Sequence, residues 1–131
     1  MRTVQRFSLI VLCLLLTAFT SQAFGQAVYG SIFGTVTDAT GAALPKAKVT
    51  ITDLGKNLTF TTETNADGNF NQTRLVAGLY RIKVEAPNFK ATVQDVTVNI
   101  DVATAANFQL QAGAVTEEVT ITAEAPLLKT D

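Results

Sequence analysis

The chain of 131 residues contains no histidine, no tryptophan and one cysteine, Cys13. These absences exclude a zinc site built from nitrogen and sulfur ligands and a catalytic triad that uses histidine. Charged residues make up 16% of the chain, and no basic cluster of the kind that binds nucleic acid is present. We therefore expect no metal, no cofactor, no nucleic-acid partner and no enzymatic activity.

Carboxylates are the remaining candidates for catalysis, and their positions argue against it. Asp38, Asp67 and Asp101 fall in predicted turns, where aspartate side chains hydrogen-bond the backbone. Glu117 and Glu118 are adjacent in a predicted strand and therefore face opposite sides. The segment around Asp67 lacks the repeated oxygen ligands of a calcium loop. The sequence thus assigns no catalytic, cofactor-binding or metal-binding residue.

The N-terminus is typical of a secretory signal peptide over residues 1–23. Two arginines precede an apolar run at residues 7–19, which is shorter than the ~20 residues that span a membrane. Small residues favour cleavage after Ala23, with Ala27 as the alternative. Cys13 lies inside the run and is expected to be removed with it rather than to carry a lipid. We therefore expect export, to the periplasm and outer membrane or to the medium, without a transmembrane segment in the mature chain.

The rest of the chain shows the two-residue alternation of short strands. In the clearest stretch, residues 80–86, four apolar residues alternate with three charged ones, and this pattern predicts one buried face. That face consists of Tyr80, Ile82, Val84 and Ala86. No amphipathic helix follows the leader. The pattern predicts an all-β fold, a small antiparallel Greek-key β-sandwich of about seven strands preceded by a signal-peptide helix. Residues 24–30 form an approach segment, 31–112 the sandwich, 113–122 a last strand and 123–131 a linker tail.

The second half of the chain carries three further expectations. Val93 is out of phase with the residues after it, which predicts a bulge or a bend near residues 94–95. Residues 101–106 are predicted to form a turn. A single strand face is predicted from four alternating apolar residues, Val96, Val98, Ile100 and Val102.

Glycine, aspartate and proline mark the turns. Asp38 and Gly41 predict a turn with positive φ, and Asp67 with Gly68 predicts a second one. Gly34 inside a strand predicts a bulge or a close approach of another backbone. The predicted framework is Gly34, Asp38, Gly41, Pro45, Asp67, Gly68, Phe70, Gly78 and Tyr80.

Aromatic residues outside the predicted core are the candidates for ligand contact. Phe70, Tyr80 and Phe108 occupy core positions of their strands, where packing is the expected role. Exposed aromatic rings commonly bind sugars in small β domains, although nothing in the sequence requires a sugar. The candidate ligand-facing residues are Tyr29, Phe33 and Phe60.

Three motifs in order resemble the carboxypeptidase regulatory-like domain. They are GTVTDATGAALPKAKVTI at residues 34–51, TNADGNF at 64–70 and LVAGLYRIKVEAPNF at 75–89. The resemblance implies a transthyretin-like (prealbumin-like) sandwich, grouped with carbohydrate-binding-like and collagen-adhesin B-type (Cna-B-like) folds, and it transfers framework residues but no catalytic ones. Adhesin relatives can form an isopeptide crosslink from a first-strand lysine. Residues 31–37 contain no lysine, so no such crosslink is expected.

The tail at residues 119–128, VTITAEAPLL, is similar to the segment that joins this domain to the plug of Oar-like TonB-dependent outer-membrane receptors. The resemblance implies a periplasmic accessory domain, or the N-terminal fragment of such a receptor. Its partners would be the plug, the barrel or a periplasmic protein, contacted through exposed strand edges. A free-standing secreted module that binds carbohydrate or protein is the alternative.

Overall fold

The computed structural model describes residues 1–6 and 28–122. Residues 2–6 form a short helical turn, and residues 28–122 form the β domain. Within these described parts no helix is both long and apolar enough to cross a membrane. The predicted apolar leader run, both cleavage positions, Cys13 and the linker tail lie outside the described residues.

The β domain is built from two sheets packed face to face. The smaller sheet contains β4, β1, β7 and β8, and the larger sheet has the order β3-β2-β5-β6-β9. The strands in residues 28–122 are β1 (Gly30–Thr37), β2 (Lys48–Asp53), β3 (Thr59–Glu63), β4 (Asn69–Leu75), β5 (Gly78–Glu85), β6 (Ala91–Val98), β7 (Ala103–Ala105), β8 (Phe108–Gln109) and β9 (Glu118–Ile121). The predicted all-β sandwich is confirmed.

Not every strand pair is antiparallel. β7 and β8 follow one another along the same side of β1 and are parallel to it. β9 joins the larger sheet parallel to β6. The remaining pairs, such as β2 with β5 and β5 with β6, are antiparallel, as expected for the predicted sandwich. Parallel neighbours arise here because the chain crosses between sheets before it pairs again.

The core lies between the two sheets. Ile32, Gly34 and Val36 face it from β1, as their alternation predicts. The predicted face of β5 is also buried from Tyr80 through Ala86. Phe70 and Phe108 meet in the smaller sheet with ring centroids 6.2 Å apart. Burying each large side chain contributes about 1.5–3 kcal/mol, so this interior is the main source of stability.

Two expectations for β6 are wrong. The strand ends at Val98, and Ile100 and Val102 are exposed by 49% and 46% because residues 99–102 turn toward the smaller sheet. The β5–β6 register runs without interruption, so no bulge occurs at residues 94–95. Val93 faces the opposite side of the sheet from Val96, so it is buried outside the core cluster, and its different phase needs no kink in the strand.

The turn predicted at residues 101–106 is also wrong, because it contains β7. Ala103–Ala105 has weak intrinsic strand preference, since alanine is depleted in strands. The open side of β1 imposes the extended conformation through Ser31 N–H to Val102 O (3.1 Å) and Ala106 N–H to Phe33 O (2.8 Å). The last strand is shorter than residues 113–122 and covers Glu118–Ile121.

Candidate functional site

The first framework turn is held by one carboxylate. Asp38 Oδ1 accepts hydrogen bonds from the Thr40 N–H at 2.8 Å, the Thr40 hydroxyl at 2.6 Å and the Ala42 N–H at 3.0 Å. The Thr40 hydroxyl, followed by the backbone N–H groups, lowers the pKa of Asp38 below 3.8. Gly41 has a φ of 86° in this turn, and Pro45 lies in the next turn, before β2. One oxygen of this carboxylate therefore holds the turn through three hydrogen bonds.

The second framework turn depends on an asparagine that sequence reasoning missed. Asn65 Oδ1 accepts the N–H groups of Asp67 (3.0 Å) and Asn69 (2.9 Å), while the Asp67 carboxylate takes no part in these bonds. Gly68 has a φ of 74° and lies against β1. The sequence does contain a signal for this role, because an asparagine side chain can accept the same turn hydrogen bonds as an aspartate side chain.

Gly34 and Tyr80 hold the two sheets in place. A Cβ at Gly34 would lie 1.7 Å from Ala106 O, so glycine permits the close approach of the β7–β8 segment. Tyr80 is buried and donates its hydroxyl to Val76 O at 2.8 Å. Gly78 starts β5 in extended backbone and pairs with Val98, so it is a strand residue rather than a turn.

The structure separates the three aromatic residues predicted to face a ligand. Phe60 pairs with Ile51 and packs partly buried against the core, so the prediction that it faces a ligand conflicts with its position. Tyr29 and Phe33 are exposed by 43% and 44%. Phe33 lies on the outer face of the smaller sheet, between Asn71 of β4 and Ala105 of β7. Two of the three residues therefore remain available to a ligand.

Tyr29 lies at a shallow cleft of about 330 Å³ where β1 begins. We call this the Tyr29 cleft. Its walls come from the start of β1, the end of β4 and the β6–β7 turn. Its lining residues are Tyr29, Gly30, Ser31, Thr73, Arg74, Asp101, Val102 and Ala103.

Two charged residues of the Tyr29 cleft have unusual backbone conformations. Arg74 has a φ of 60° and Asp101 a φ of 55°, in the left-handed region that side chains other than glycine seldom adopt. At Arg74 the β1–β4 register shifts, because Gly30 pairs with Leu75 whereas Ile32 pairs with Gln72. At Asp101 the backbone N–H donates to Tyr29 O at 3.2 Å. Such strain persists only where the surrounding structure enforces it, and it frequently marks ligand sites.

The side chains of the Tyr29 cleft suit a polar ligand with one apolar face. Tyr29 supplies a ring, Arg74 a planar donor group and Asp101 an acceptor, with hydroxyl groups from Ser31 and Thr73. Among the described residues no group of three or more histidine, cysteine, aspartate or glutamate side chains could hold a metal ion. Sequence reasoning missed Arg74, which carries no motif, and recognised Asp101 only as a turn residue.

The chain matches a family model over most of its β domain. The matching model is the carboxypeptidase regulatory-like domain, which aligns with residues 31–111. Among curated proteins, none matches the sequence significantly. The match covers the three motifs and all strands from β1 to β8.

Solved structures of differently named proteins share this fold. The TIE protein of Bacillus anthracis is 17% identical with a TM-score of 0.58, over 65% of this chain and 17% of that one. Catechol 1,2-dioxygenase from Pseudomonas arvilla is 11% identical with a TM-score of 0.58, over 83% and 60%. A candidate carbohydrate-binding protein from Bacteroides uniformis is 19% identical with a TM-score of 0.51, over 62% and 40%.

The chain spans less than two thirds of the length of each of these structures, and the low identities establish the fold alone. The family match is the stronger finding, because it covers more than half of the chain in sequence and includes both framework turns. The chain belongs to the carboxypeptidase regulatory-like domain family.

Proposed function

We propose that the chain is a non-enzymatic, exported β-sandwich module that serves as the N-terminal periplasmic accessory domain of a TonB-dependent outer-membrane receptor. The leader and the receptor-like tail support export and receptor context. The observation that carries the proposal is β9: the receptor-like segment starts within this strand at Val119, and Ile121 packs against the core. In a receptor, a linker that begins within β9 would leave the domain from a defined strand of the larger sheet.

The experiment is to read the coding DNA beyond the codon for Asp131 and to fractionate cells that produce the protein. An open frame that continues into a plug and then into alternating segments of about ten residues is expected for a receptor. A stop codon would overturn the receptor context. Retention of the full-length chain in the cytoplasm, without removal of residues 1–23 or 1–27, would overturn export.

A second candidate function is carbohydrate binding at the Tyr29 cleft. It is favoured because the exposed ring of Tyr29 lies in the same cleft as Arg74 and Asp101. The ring can stack on a sugar, and the two charged side chains can hydrogen-bond the sugar hydroxyl groups. Phe33 lies on the same outer face of β1 as Ser31, two residues further along the strand and about 7 Å away. The Bacteroides uniformis neighbour has a related fold but adds no site residue.

A glycan array followed by calorimetry tests this second candidate. Binding that is lost in Tyr29→Ala and in Asp101→Asn, but kept in the control Thr61→Ala on the distant β3, would support a saccharide site. Thr61 is exposed and lies outside the cleft. If wild-type protein binds no glycan, or if all three variants bind equally, the Tyr29 cleft is not a carbohydrate site.

A further inference from the structure

The outer face of the smaller sheet differs in chemistry from the outer face of the larger sheet. Strand alternation directs every second residue of β1, β4, β7 and β8 away from the core, and Asn107 joins them between the last two strands. We call this surface the Phe33 face. Its residues are Ser31, Phe33, Thr35, Thr37, Asn69, Asn71, Ala103, Ala105, Asn107 and Gln109.

None of the residues of the Phe33 face, all of which the structure describes, carries a formal charge. The charged residues that border it lie in turns or at the β1–β4 register shift and are Asp38, Asp67, Arg74 and Asp101. The outer face of the larger sheet instead carries both signs of charge, on Lys48, Glu63, Arg81, Lys83, Glu85, Asp95 and Glu118. The domain therefore presents one ionic face and one uncharged face.

Phe33 supplies the aromatic ring of the uncharged face. Its side chain is exposed, and its backbone lies between Asn71 of β4 and Ala105 of β7. The Ala106 N–H donates to Phe33 O at 2.8 Å, so β1 is held on both sides at this position. Because the side chain of alanine is a single methyl group, Ala105 cannot cover the ring on the β7 side. The ring is therefore an accessible platform on a rigid strand.

Two asparagine side chains are held beside this ring by Thr35, about 7 Å further along β1. The Thr35 N–H donates to Asn107 Oδ1 at 3.1 Å, and the Thr35 hydroxyl donates to Asn69 Oδ1 at 2.9 Å. Both amides use their oxygens in these bonds, so their NH₂ groups remain hydrogen-bond donors. These groups are ordered before a ligand arrives, which lowers the entropy cost of binding.

We propose that the Phe33 face binds a neutral polysaccharide whose chain lies extended across the smaller sheet. The ring can stack on a sugar, and the amides and hydroxyl groups around it can hydrogen-bond the sugar hydroxyl groups. A face without cations does not attract nucleic acids, acidic glycans or anionic lipids. A protein partner would require a larger apolar centre than one ring. The ligand class is that of the second candidate function, but the surface is different and does not depend on the Tyr29 cleft.

Affinity electrophoresis of the full chain, in native gels that contain a soluble polysaccharide, tests this proposal. Hydroxyethyl cellulose and dextran are the neutral probes, and carboxymethyl cellulose and dextran sulfate are their matched anionic derivatives. Phe33→Ala removes the ring, and Phe33→Val removes it with a residue that favours strands, so urea unfolding can separate lost binding from lost folding. Tyr29→Ala and Thr61→Ala, the latter on the outer face of the larger sheet, are the controls. The leader is identical in all variants, so adsorption through it would persist when Phe33 is replaced.

At least one neutral probe should retard the wild-type protein and both controls, and both Phe33 variants should bind it about tenfold more weakly or worse. Its anionic derivative should bind more weakly than the neutral polymer does. The proposal is overturned by a lack of retardation in both neutral polymers, by equal retardation of the Phe33 variants, or by tighter binding of the anionic derivative.

Two further outcomes would also overturn the proposal and would identify what replaces it. A loss of binding confined to Tyr29→Ala would place the saccharide in the Tyr29 cleft, so the second candidate function would stand while the Phe33 face would not be a site. Self-association that needs no polysaccharide and disappears in Phe33→Val would identify a second copy of the chain as the occupant of this face.

Discussion

Val36 and Gly68 connect the two framework turns of the sandwich. The Val36 N–H donates to Gly68 O at 2.8 Å, and a Cβ at Gly68 would lie 2.6 Å from Val36 O. Gly68 also has a positive φ of 74°. The β3–β4 turn can therefore close on β1 only if this residue has no side chain.

Replacing Gly68 with alanine should destabilise the domain more than the same change at Gly41. Gly41 also has positive φ, but no described atom lies within 4 Å of the Cβ that alanine would add, so Gly41→Ala should cost about 1–2 kcal/mol from backbone strain alone. Gly68→Ala adds displacement of the β1 backbone and should cost at least about twice as much. Urea unfolding of both variants measures the difference, and equal free energies of unfolding would contradict the packing argument.

Gly34 and Gly78 test the effect of steric contact on stability without that of backbone strain, since neither has positive φ. A Cβ at Gly34 would lie 1.7 Å from Ala106 O, whereas at Gly78 the nearest atom is Tyr80 Cε2 at 3.9 Å. Gly34→Ala should therefore cost about 3 kcal/mol or more, because the β7–β8 segment must move. Gly78→Ala should be neutral or stabilise by up to about 1 kcal/mol by restricting the unfolded chain. Thermal unfolding distinguishes them, and a stable Gly34→Ala variant would show that this segment can shift.

The sequence predicts those parts of the fold that depend on neighbouring residues. Alternation in β1 and β5 gives the buried faces because side chains of a strand alternate in direction whatever the partner is. Ala103–Ala105 becomes a strand because β1 has an open side, which is a tertiary property. Ile100 and Val102 continue the alternation of β6 in sequence, but the chain leaves the sheet at Val98. No local pattern records that departure.

The residues of the candidate site also divide into those that the sequence identifies and those that only the tertiary structure brings together. Tyr29 and Phe33 could be identified as candidates because aromatic residues outside the core phase are conspicuous in sequence. Arg74 could not, because its place beside Tyr29 depends on the register shift between β1 and β4. The uncharged Phe33 face likewise arises from strand register, since its members are spread over residues 31–109.

The Asp38 turn should make stability depend on pH in the acidic range. The pKa of Asp38 is lower in the folded protein than its ordinary value of 3.8, mainly through the Thr40 hydroxyl. A lowered pKa means that this contribution is present above 3.8 and is lost as the pH falls through the folded value. Asp38→Asn keeps an acceptor but does not titrate, so its deficit relative to wild type should be largest at neutral pH and shrink below pH 3.8.

Urea unfolding from neutral to acidic pH measures that deficit. Asp67→Asn is the matched control, because the side-chain acceptor of its turn is Asn65 and the Asp67 carboxylate is not used. A deficit of Asp38→Asn that stays constant across the acidic range would show that the turn bonds do not favour the charged carboxylate.

Tyr80 should titrate above the ordinary tyrosine range. Burial raises its pKa above 10.0, and the Asp53 carboxylate adds to the rise because it disfavours a second negative charge nearby. The chain has two tyrosines, so Tyr29→Phe leaves Tyr80 as the sole one. Its phenolate absorbance should appear with a midpoint above pH 10.0, and stability should fall as the pH rises beyond that value, since the unfolded chain ionises first.

Two further variants assign the causes of this shift. Asp53→Asn keeps an oxygen for the Gly55 and Lys56 N–H groups but removes the charge, so the midpoint should decrease yet remain above 10.0 because burial persists. Tyr80→Phe should cost about 1 kcal/mol at neutral pH by removing the hydrogen bond to Val76 O, and it should abolish the alkaline loss of stability that Tyr80 causes. A midpoint at or below 10.0 in the Tyr29→Phe protein would mean that the hydroxyl reaches water, and the contact between Tyr80 and the β4–β5 turn would then not close this end of the core.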